Sequence, residues 1–219
     1  MLTVACVWVR SDIYDSPEWV VRLYSMVNRW IGCSNYPFEF VCITPHLEEF
    51  GKLEFIHAVR PSLRLDDSVK PWWYKANLWS LERERVLYFD LDVVLLKGIG
   101  PLVDYPSDLV VAPSSGTPMR QHAFNSSVMC WNPDCHQVKK TIREGLKSKP
   151  WEKWVGDQQW LSMLPMRVDL YPSRWIHKYK PADGSYSMPS EAIVVLLIQG
   201  GKNKRLIEDG HDWVARAWM

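Results

Sequence analysis

The stretch Arg85-Val86-Leu87-Tyr88-Phe89-Asp90-Leu91-Asp92-Val93-Val94-Leu95-Leu96, near the middle of the chain, decides how this sequence is read. Four apolar residues run straight into Asp90, and four more leave Asp92. An apolar run of this length, rich in Val and Leu and ending in acid, reads as a strand buried on both faces. In open α/β sheets, ligands gather beyond the carboxyl ends of the strands, so chemistry is expected there. Two carboxylates separated only by Leu91 repel unless one is protonated or a cation lies between them. A hard divalent ion, Mg²⁺ or Mn²⁺, meets that need with oxygen ligands, and a phosphate-bearing substrate can supply the rest. The plainer reading of an isolated Asp-x-Asp is a strand followed by a solvated acidic turn. The long apolar runs on both sides favour a site.

The totals set the frame around this strand. A chain of 219 residues can bury a large core within one domain, and no internal boundary divides residues 1–219. Its apolar fraction of 47% and charged fraction of 23% are ordinary for a globular protein. With 26 basic and 25 acidic residues the net charge is +1, which gives no reason to expect nucleic acid as a partner. The unusual count is 13 Trp with 9 Tyr, a surplus that suits a core and also suits stacking on sugar rings or bases. Five cysteines without a Cys-x-x-Cys pair read as reduced core thiols rather than a zinc site. The N-terminus lacks the layout of a signal peptide, and no segment approaches the roughly 18 apolar residues of a membrane helix. A cytoplasmic protein is expected.

Along the chain, Leu2 to Val9 reads as a first strand, and Ser16-Pro17 as the cap and first turn of a helix over Glu18 to Ile31. Strands are expected at Phe38 to Thr44 and Leu53 to Val59, giving a β-α-β-β opening with parallel pairing. Trp72 to Leu81 reads as a helix carrying Lys75 in its first turns. Beyond the central strand, further strands are expected at Leu109 to Ala112, Phe124 to Trp131, Arg167 to Leu170 and Ala192 to Ile198. Helices are expected from a cap at Asp134 to Leu146, from Asp157 to Leu164, and near the end from Asp209 to Trp218. Pro113 to Gln121 and Gly200 to Lys204 read as a loop and a turn.

Three further groups carry chemistry. Asn125-Ser126-Ser127 sets small polar side chains at a strand entry, where they can bind sugar hydroxyls or phosphate, or simply make a turn. Gly156-Asp157-Gln158-Gln159 offers a carboxylate and two amides at a helix start, either to complement the helix dipole or to face a transferred group. Lys75, Lys180, Lys202 and Lys204 can screen phosphate charge or serve only as surface cations. Gly200-Gly201 beside Lys202 lets backbone approach a ligand closely. None of the six histidines stands at metal-ligand spacing from another, and no nucleophile elbow is present.

In combination these motifs are more specific than any one of them. Phe89-Asp90-Leu91-Asp92 after Lys75, then Phe124-Asn125-Ser126-Ser127-Val128-Met129, then Gly156-Asp157-Gln158, resemble nucleotide-sugar glycosyltransferases of the GT-A fold. Ser11-Asp12-Ile13-Tyr14 and the closing Asp212-Trp213-Val214 through Trp218 are similar to the glycogenin-like enzymes and the small phage and bacterial transferases related to them. The resemblance implies a single-domain α/β fold with a mostly parallel, Rossmann-like sheet flanked by helices. It implies Mn²⁺ or Mg²⁺ on Asp90 and Asp92, completed at Gln199, against the diphosphate of a nucleoside-diphosphate sugar, a UDP-sugar foremost. Asp12, Tyr14, Lys75, Asp90, Asn125, Ser126 and Lys202 would bind the donor, while Asp157 and Gln158 would face the sugar and the reaction centre. The acceptor would be a glycan or other small molecule.

Two departures stand out. Gln199 occupies the position where this family has a metal-binding His, and the prolines that flank the following Lys are absent; Ile13 stands where the small group often has Lys. An amide oxygen ligates a hard cation more weakly than a better donor, or Lys202 replaces part of the charge. A non-catalytic protein that binds a nucleotide sugar or glycan is therefore a second reading. A third is a haloacid-dehalogenase-like phosphatase with Asp90 as nucleophile. That chemistry calls for an acidic pair on a later strand end, where this chain has Gln199-Gly200-Gly201.

Overall fold

The computed structural model describes residues 1–31, 36–66, 68–114, 124–132, 135–178, 195–197 and 216–217. The chain opens with β1 (Leu2–Val7), α1 (Glu18–Ile31), β2 (Phe38–Ile43), a short 3₁₀ turn at Leu47–Phe50 and β3 (His57–Val59). A 3₁₀ helix over Pro71–Ser80 leads into β4 (Arg85–Phe89). Then come β5 (Val93–Leu95), α2 (Gly100–Val103), β6 (Leu109–Pro113) and β7 (Phe124–Trp131). The chain continues through α3 (His136–Leu146), a 3₁₀ turn at Pro150–Glu152, α4 (Asp157–Ser162), β8 (Asp169–Leu170), β9 (Ile176–Lys178) and β10 (Val195–Leu197).

Seven strands form one sheet in the order β3-β2-β1-β4-β7-β6-β8. Pairing is parallel from β3 through β4 and between β6 and β8, and antiparallel where β7 lies between β4 and β6. The expected α/β class and mostly parallel sheet hold. After β1 the chain winds outward through β2 and β3, then returns to lay β4 on the other side of β1. The order therefore reverses between β1 and β4, and a reversal of this kind opens a crevice at the carboxyl ends of the two strands.

Alternation along the strands builds two apolar layers. Val4, Cys6, Leu87 and Phe89 face the side covered by α1, through Trp19, Leu23, Met26 and Val27. Ala5, Val86 and Tyr88 face the other side, where Trp73, Trp79, Ile142 and Trp160 pack. Each fully buried side chain such as Leu23 contributes about 1.5–3 kcal/mol relative to exposure. The same two-residue period carries Asp90 toward the side of Tyr88 and the 3₁₀ helix. Free cysteines Cys6, Cys42, Cys130 and Cys135 are all buried, as core thiols should be.

Several boundaries differ from the sequence reading. The third strand begins only at His57, because Leu53 and Ile56 donate backbone hydrogen bonds back to Phe50 (2.9 Å) and Leu53 (2.9 Å), closing successive turns. The first helical bonds of α1 return to the Pro17 carbonyl, from Val20 at 2.9 Å and Val21 at 3.1 Å. The apolar run 93–96 leaves the main sheet: Val93 turns back on the Asp90 carbonyl at 3.4 Å, and β5 pairs antiparallel with β10 in a second sheet, β5-β10-β9. The segment read as a helix from Trp72 is ten residues of 3₁₀ helix. Asp134, expected as a cap, lies outside the described residues, and α3 is entered through Cys135.

Candidate active site

The crevice predicted by the strand order is occupied by a cavity of about 380 Å³. Val7 and Val9 and the loop Ser11 to Tyr14 form its wall beyond β1, and Tyr88, Asp90, Leu91 and Asp92 form the wall at the tip of β4. Pro71, Trp72 and Lys75 of the 3₁₀ helix close the third side. The β1 loop is held in shape by its own bonds. Tyr14 N–H donates to Ser11 Oγ at 3.1 Å, Ser11 N–H donates to the Tyr14 carbonyl at 3.2 Å, and Trp8 Nε1 donates to that carbonyl at 3.1 Å. The Tyr14 ring packs edge-on against Trp19, with centroids 5.2 Å apart. Burial, then the carboxylates of Asp92 and Asp90, push the Tyr14 phenol far above its ordinary range, so it stays neutral.

Beneath the cavity lies a charged network. Lys75 Nζ is 2.8 Å from Asp90 Oδ1 and 3.0 Å from Oδ2, 3.3 Å from Ser126 Oγ and 3.7 Å from Asp157 Oδ2. The Ser126 hydroxyl donates to Asp157 Oδ2 at 2.7 Å, and the Tyr88 hydroxyl donates to Asp90 Oδ1. Lys75 also lies 5.6 Å from the centre of the Tyr88 ring. Burial favours a neutral Lys75, but Asp157 and Asp90 overbalance it and hold the ammonium well above its usual range. Burial and Asp90 likewise keep the Tyr88 phenol protonated. Removing that hydroxyl in Tyr88→Phe deletes a charge-assisted hydrogen bond, so a loss of about 1.5 kcal/mol of unfolding free energy is expected, read as a lower urea midpoint at unchanged m.

The structure sorts the expected site residues. Asp12, Tyr14, Lys75, Asp90 and Asp92 line the cavity. Ser126, fully buried, and Asp157, 7% exposed, join it only through Lys75. Asp157 opens α4, yet its carboxylate is engaged by Ser126 and Lys75. Gln158 is half-buried one residue on, and the Asn125 amide oxygen accepts from Ser127 N–H at 2.7 Å, a local turn. Gln199 and Lys202, with Lys180 and Lys204, lie outside the described residues. Sequence reading overlooked Tyr88 as Asp90's hydrogen-bond partner, although its place two residues before Asp90 on one strand face could have signalled it. Trp72, read from sequence only as the start of a helix, stands on the cavity wall.

The donor set can be tested for a divalent cation. A carboxylate offers about four lone-pair sites. Lys75 takes one on each oxygen of Asp90, and Tyr88 takes a second on Oδ1, so Asp90 can ligate through one oxygen only. Asp92, partly exposed on the same turn, supplies a second hard oxygen donor. The residues fit Mn²⁺ or Mg²⁺ on those terms. Elsewhere, His46, Glu48 and Glu49 bring ligand atoms within 4.8 Å of one another, but Glu49 is paired with Arg10 at 2.5 Å. A larger hollow of about 630 Å³ on the outer side of α3 is lined by Glu82, Lys139, Lys140, Arg143 and Glu144. Arg143 and Glu82 pair there at 2.5 Å, and the hollow contains none of the candidate residues.

No protein-family model and no curated protein matches the chain by sequence. Solved structures do match. The galactosyltransferase LgtC, crystallised with donor and acceptor sugar analogues, aligns with a TM-score of 0.61 and 14% identity, covering 100% of this chain and 95% of that one. A glycosyltransferase involved in glycosylation of the major capsid of PBCV-1 aligns at 0.56 and 12%, over 91% of this chain and 93% of its own. Mouse xyloside xylosyltransferase 1, in its apo form, aligns at 0.54 and 11%, over 90% and 97%. At such identities the likeness concerns the fold, which is that of GT-A glycosyltransferases. No helix among the described residues is long and apolar enough to cross a membrane.

Proposed function

We propose that the chain is a glycosyltransferase that moves a sugar from a nucleoside-diphosphate donor, a UDP-sugar in the first instance, to a glycan or other small acceptor, with Mn²⁺ or Mg²⁺ held at Asp90 and Asp92. One observation carries the reading: the β1 loop, the Asp90–Asp92 turn and Lys75 meet around a single cavity at the point where the strand order reverses. The fold shared with known glycosyltransferases supports it.

On this reading the β1 loop receives the nucleoside, with Asp12 as hydrogen-bond acceptor and the neutral Tyr14 as an aromatic surface. A divalent cation held by Asp90 and Asp92 would stabilise the negative charge that grows on the departing nucleoside diphosphate. Lys75 stays an ammonium and fixes Asp90 from below, so the carboxylate keeps one orientation before substrate arrives. Ser126 and Asp157 hold Lys75 from the opposite side. The arrangement is preorganised, which is what a site acting on developing charge requires.

Engagement of both Asp90 oxygens by Lys75 favours one alternative, a chain that binds a nucleotide sugar without turning it over. A hydrolysis assay across UDP-, GDP- and ADP-sugars, with Mn²⁺ and then with excess chelator, separates the two. The transferase reading expects at least one donor to be consumed, with the rate collapsing on chelation. A donor that raises the melting temperature but is never consumed supports the binding-only alternative.

A further inference from the structure

We propose that Trp8 is a positioning residue for the donor: from behind the sheet, its indole holds the Ser11–Tyr14 loop in the shape that receives the nucleoside. This rests on the reading above that the β1 loop is the nucleoside's site. Alternation at the end of β1 separates two faces. Val7 and Val9 line the cavity, whereas Trp8 is fully buried in the opposite layer, among the residues packed with α1. Its backbone N–H continues the β1–β2 ladder to the Ile43 carbonyl at 3.0 Å. Its ring lies edge-on to His46 and Phe50, with centroids 5.3 and 5.5 Å away. Both ends of the residue are therefore fixed.

A core indole needs a partner for its N–H, and any nearby carbonyl would serve packing equally well. Here the partner is the Tyr14 carbonyl, six residues on, at 3.1 Å, in the loop that walls the cavity. The same oxygen accepts Ser11 N–H at 3.2 Å, and Tyr14 N–H returns to Ser11 Oγ at 3.1 Å. Of these three bonds, the one from Trp8 starts in the core and the other two close the loop on itself. The Tyr14 ring is seated separately, against Trp19, so Trp8 secures the backbone of a residue whose side chain has its own support. Arg10 also reaches Glu49, at 2.5 Å, but its side chain is 54% exposed, and an ion pair in that setting contributes little. A loop already in shape costs no ordering when the nucleoside arrives. Loosening it weakens ground-state and transition-state binding alike, because the nucleoside is the same in both. Trp8 thus sets donor affinity without touching the donor.

The test uses two variants at this position and one control. Trp8→Phe removes the N–H, and Trp8→benzothienylalanine, introduced by amber suppression, keeps the ring's shape with sulfur in place of the N–H. Phe40→Leu alters the same apolar layer lower down, opposite Val4 and against Tyr24, and reports what lost core packing does by itself. UDP affinity with Mn²⁺ is measured by calorimetry, donor KM and kcat with UDP-glucose and UDP-galactose, and amide hydrogen exchange by NMR. Both Trp8 variants should raise the UDP Kd and the donor KM about fivefold, with kcat within about twofold. Exchange at the Ser11 and Tyr14 amides should quicken about fivefold while Ala5, inside β1, keeps its rate. Phe40→Leu should lower the melting temperature and leave the UDP Kd unchanged. An unchanged Kd in the isosteric variant, an isostere that does not fold, an equal rise in Phe40→Leu, or a loss of kcat larger than the rise in KM would overturn the proposal. A wild type that binds UDP but consumes neither donor leaves Kd and exchange to decide. Should UDP, GDP and ADP all fail to bind the wild type, the nucleoside reading is what fails, and exchange alone decides Trp8. Quickening confined to the Ser11–Tyr14 loop then supports the anchor; unaltered loop exchange, or a loop unprotected in the wild type, refutes it.

Discussion

Lys75→Met is expected to lower the stability of the protein by about 3 kcal/mol at neutral pH, the cost of leaving buried carboxylates without their cation. The wild-type ammonium touches Asp90, Ser126 and Asp157 while only 11% of its side chain is exposed, against 20% for Asp90 and 9% for Asp157. Because its proton is held more tightly in the folded state than near the unfolded value of about 10.4, the stabilisation is fully present below that pH. It is lost only as pH rises through the higher folded value, so neutral and mildly alkaline solutions give the same difference. Urea unfolding of Lys75→Met measures the loss. The double variant Lys75→Met/Asp157→Asn should recover part of it, since it removes one uncompensated charge. A double-mutant cycle that shows strict additivity would mean the two groups do not interact.

Asp92→Asn is expected to cut donor turnover by about a hundred- to a thousandfold while leaving the fold intact, since it removes a carboxylate that would hold the cation set against the developing phosphate charge. The asparagine has nearly the shape of the aspartate, and the position lies on a turn, partly exposed. The readout is donor hydrolysis under saturating Mn²⁺, with the melting temperature as the control for folding. Full turnover in the variant would remove the metal role from the Asp90–Asp92 turn.

Much of the scaffold was legible because it rests on long periodic signals. The limits of α1 and β7 were readable to the residue, and β4 was identified because Val86 to Phe89 is an uninterrupted buried run. That Asp90 closes a strand at a ligand-binding edge followed from the same run. Elements decided by tertiary pairing were not legible. β5 looks like a continuation of β4, and only its partner β10 shows that it belongs to another sheet. β9 is three residues long and α2 four, too short for a period to register. The 3₁₀ form of Pro71–Ser80 was equally hidden, because an apolar ten-residue segment rich in tryptophan suits either helix.

At the site, residue types could be read but their company could not. Lys75 was expected to screen phosphate, and its charge suits that use; its contacts to Asp90, 15 residues on, and Ser126, 51 residues on, exist only once β4 and β7 are paired. Asp157 could have been a dipole partner or a reacting group by sequence, and it is found beneath the cavity, bound to Ser126. Nothing in Trp72-Trp73 says which ring is core. Trp73 packs inside with Ala76 and Trp79, whereas Trp72 stands in the first turn and stays exposed although Lys75 and Leu78, three and six residues on, are buried; only the tertiary packing decides it.

The site at the tip of β4 is tested most directly by a crystal grown with UDP and Mn²⁺, with anomalous scattering recorded at the manganese edge. An anomalous peak within ligand distance of an Asp92 oxygen, with the diphosphate between it and the Ser11–Tyr14 loop, is the expected result. Nucleotide bound elsewhere, or manganese absent from Asp90 and Asp92 while UDP fills the cavity, would contradict it.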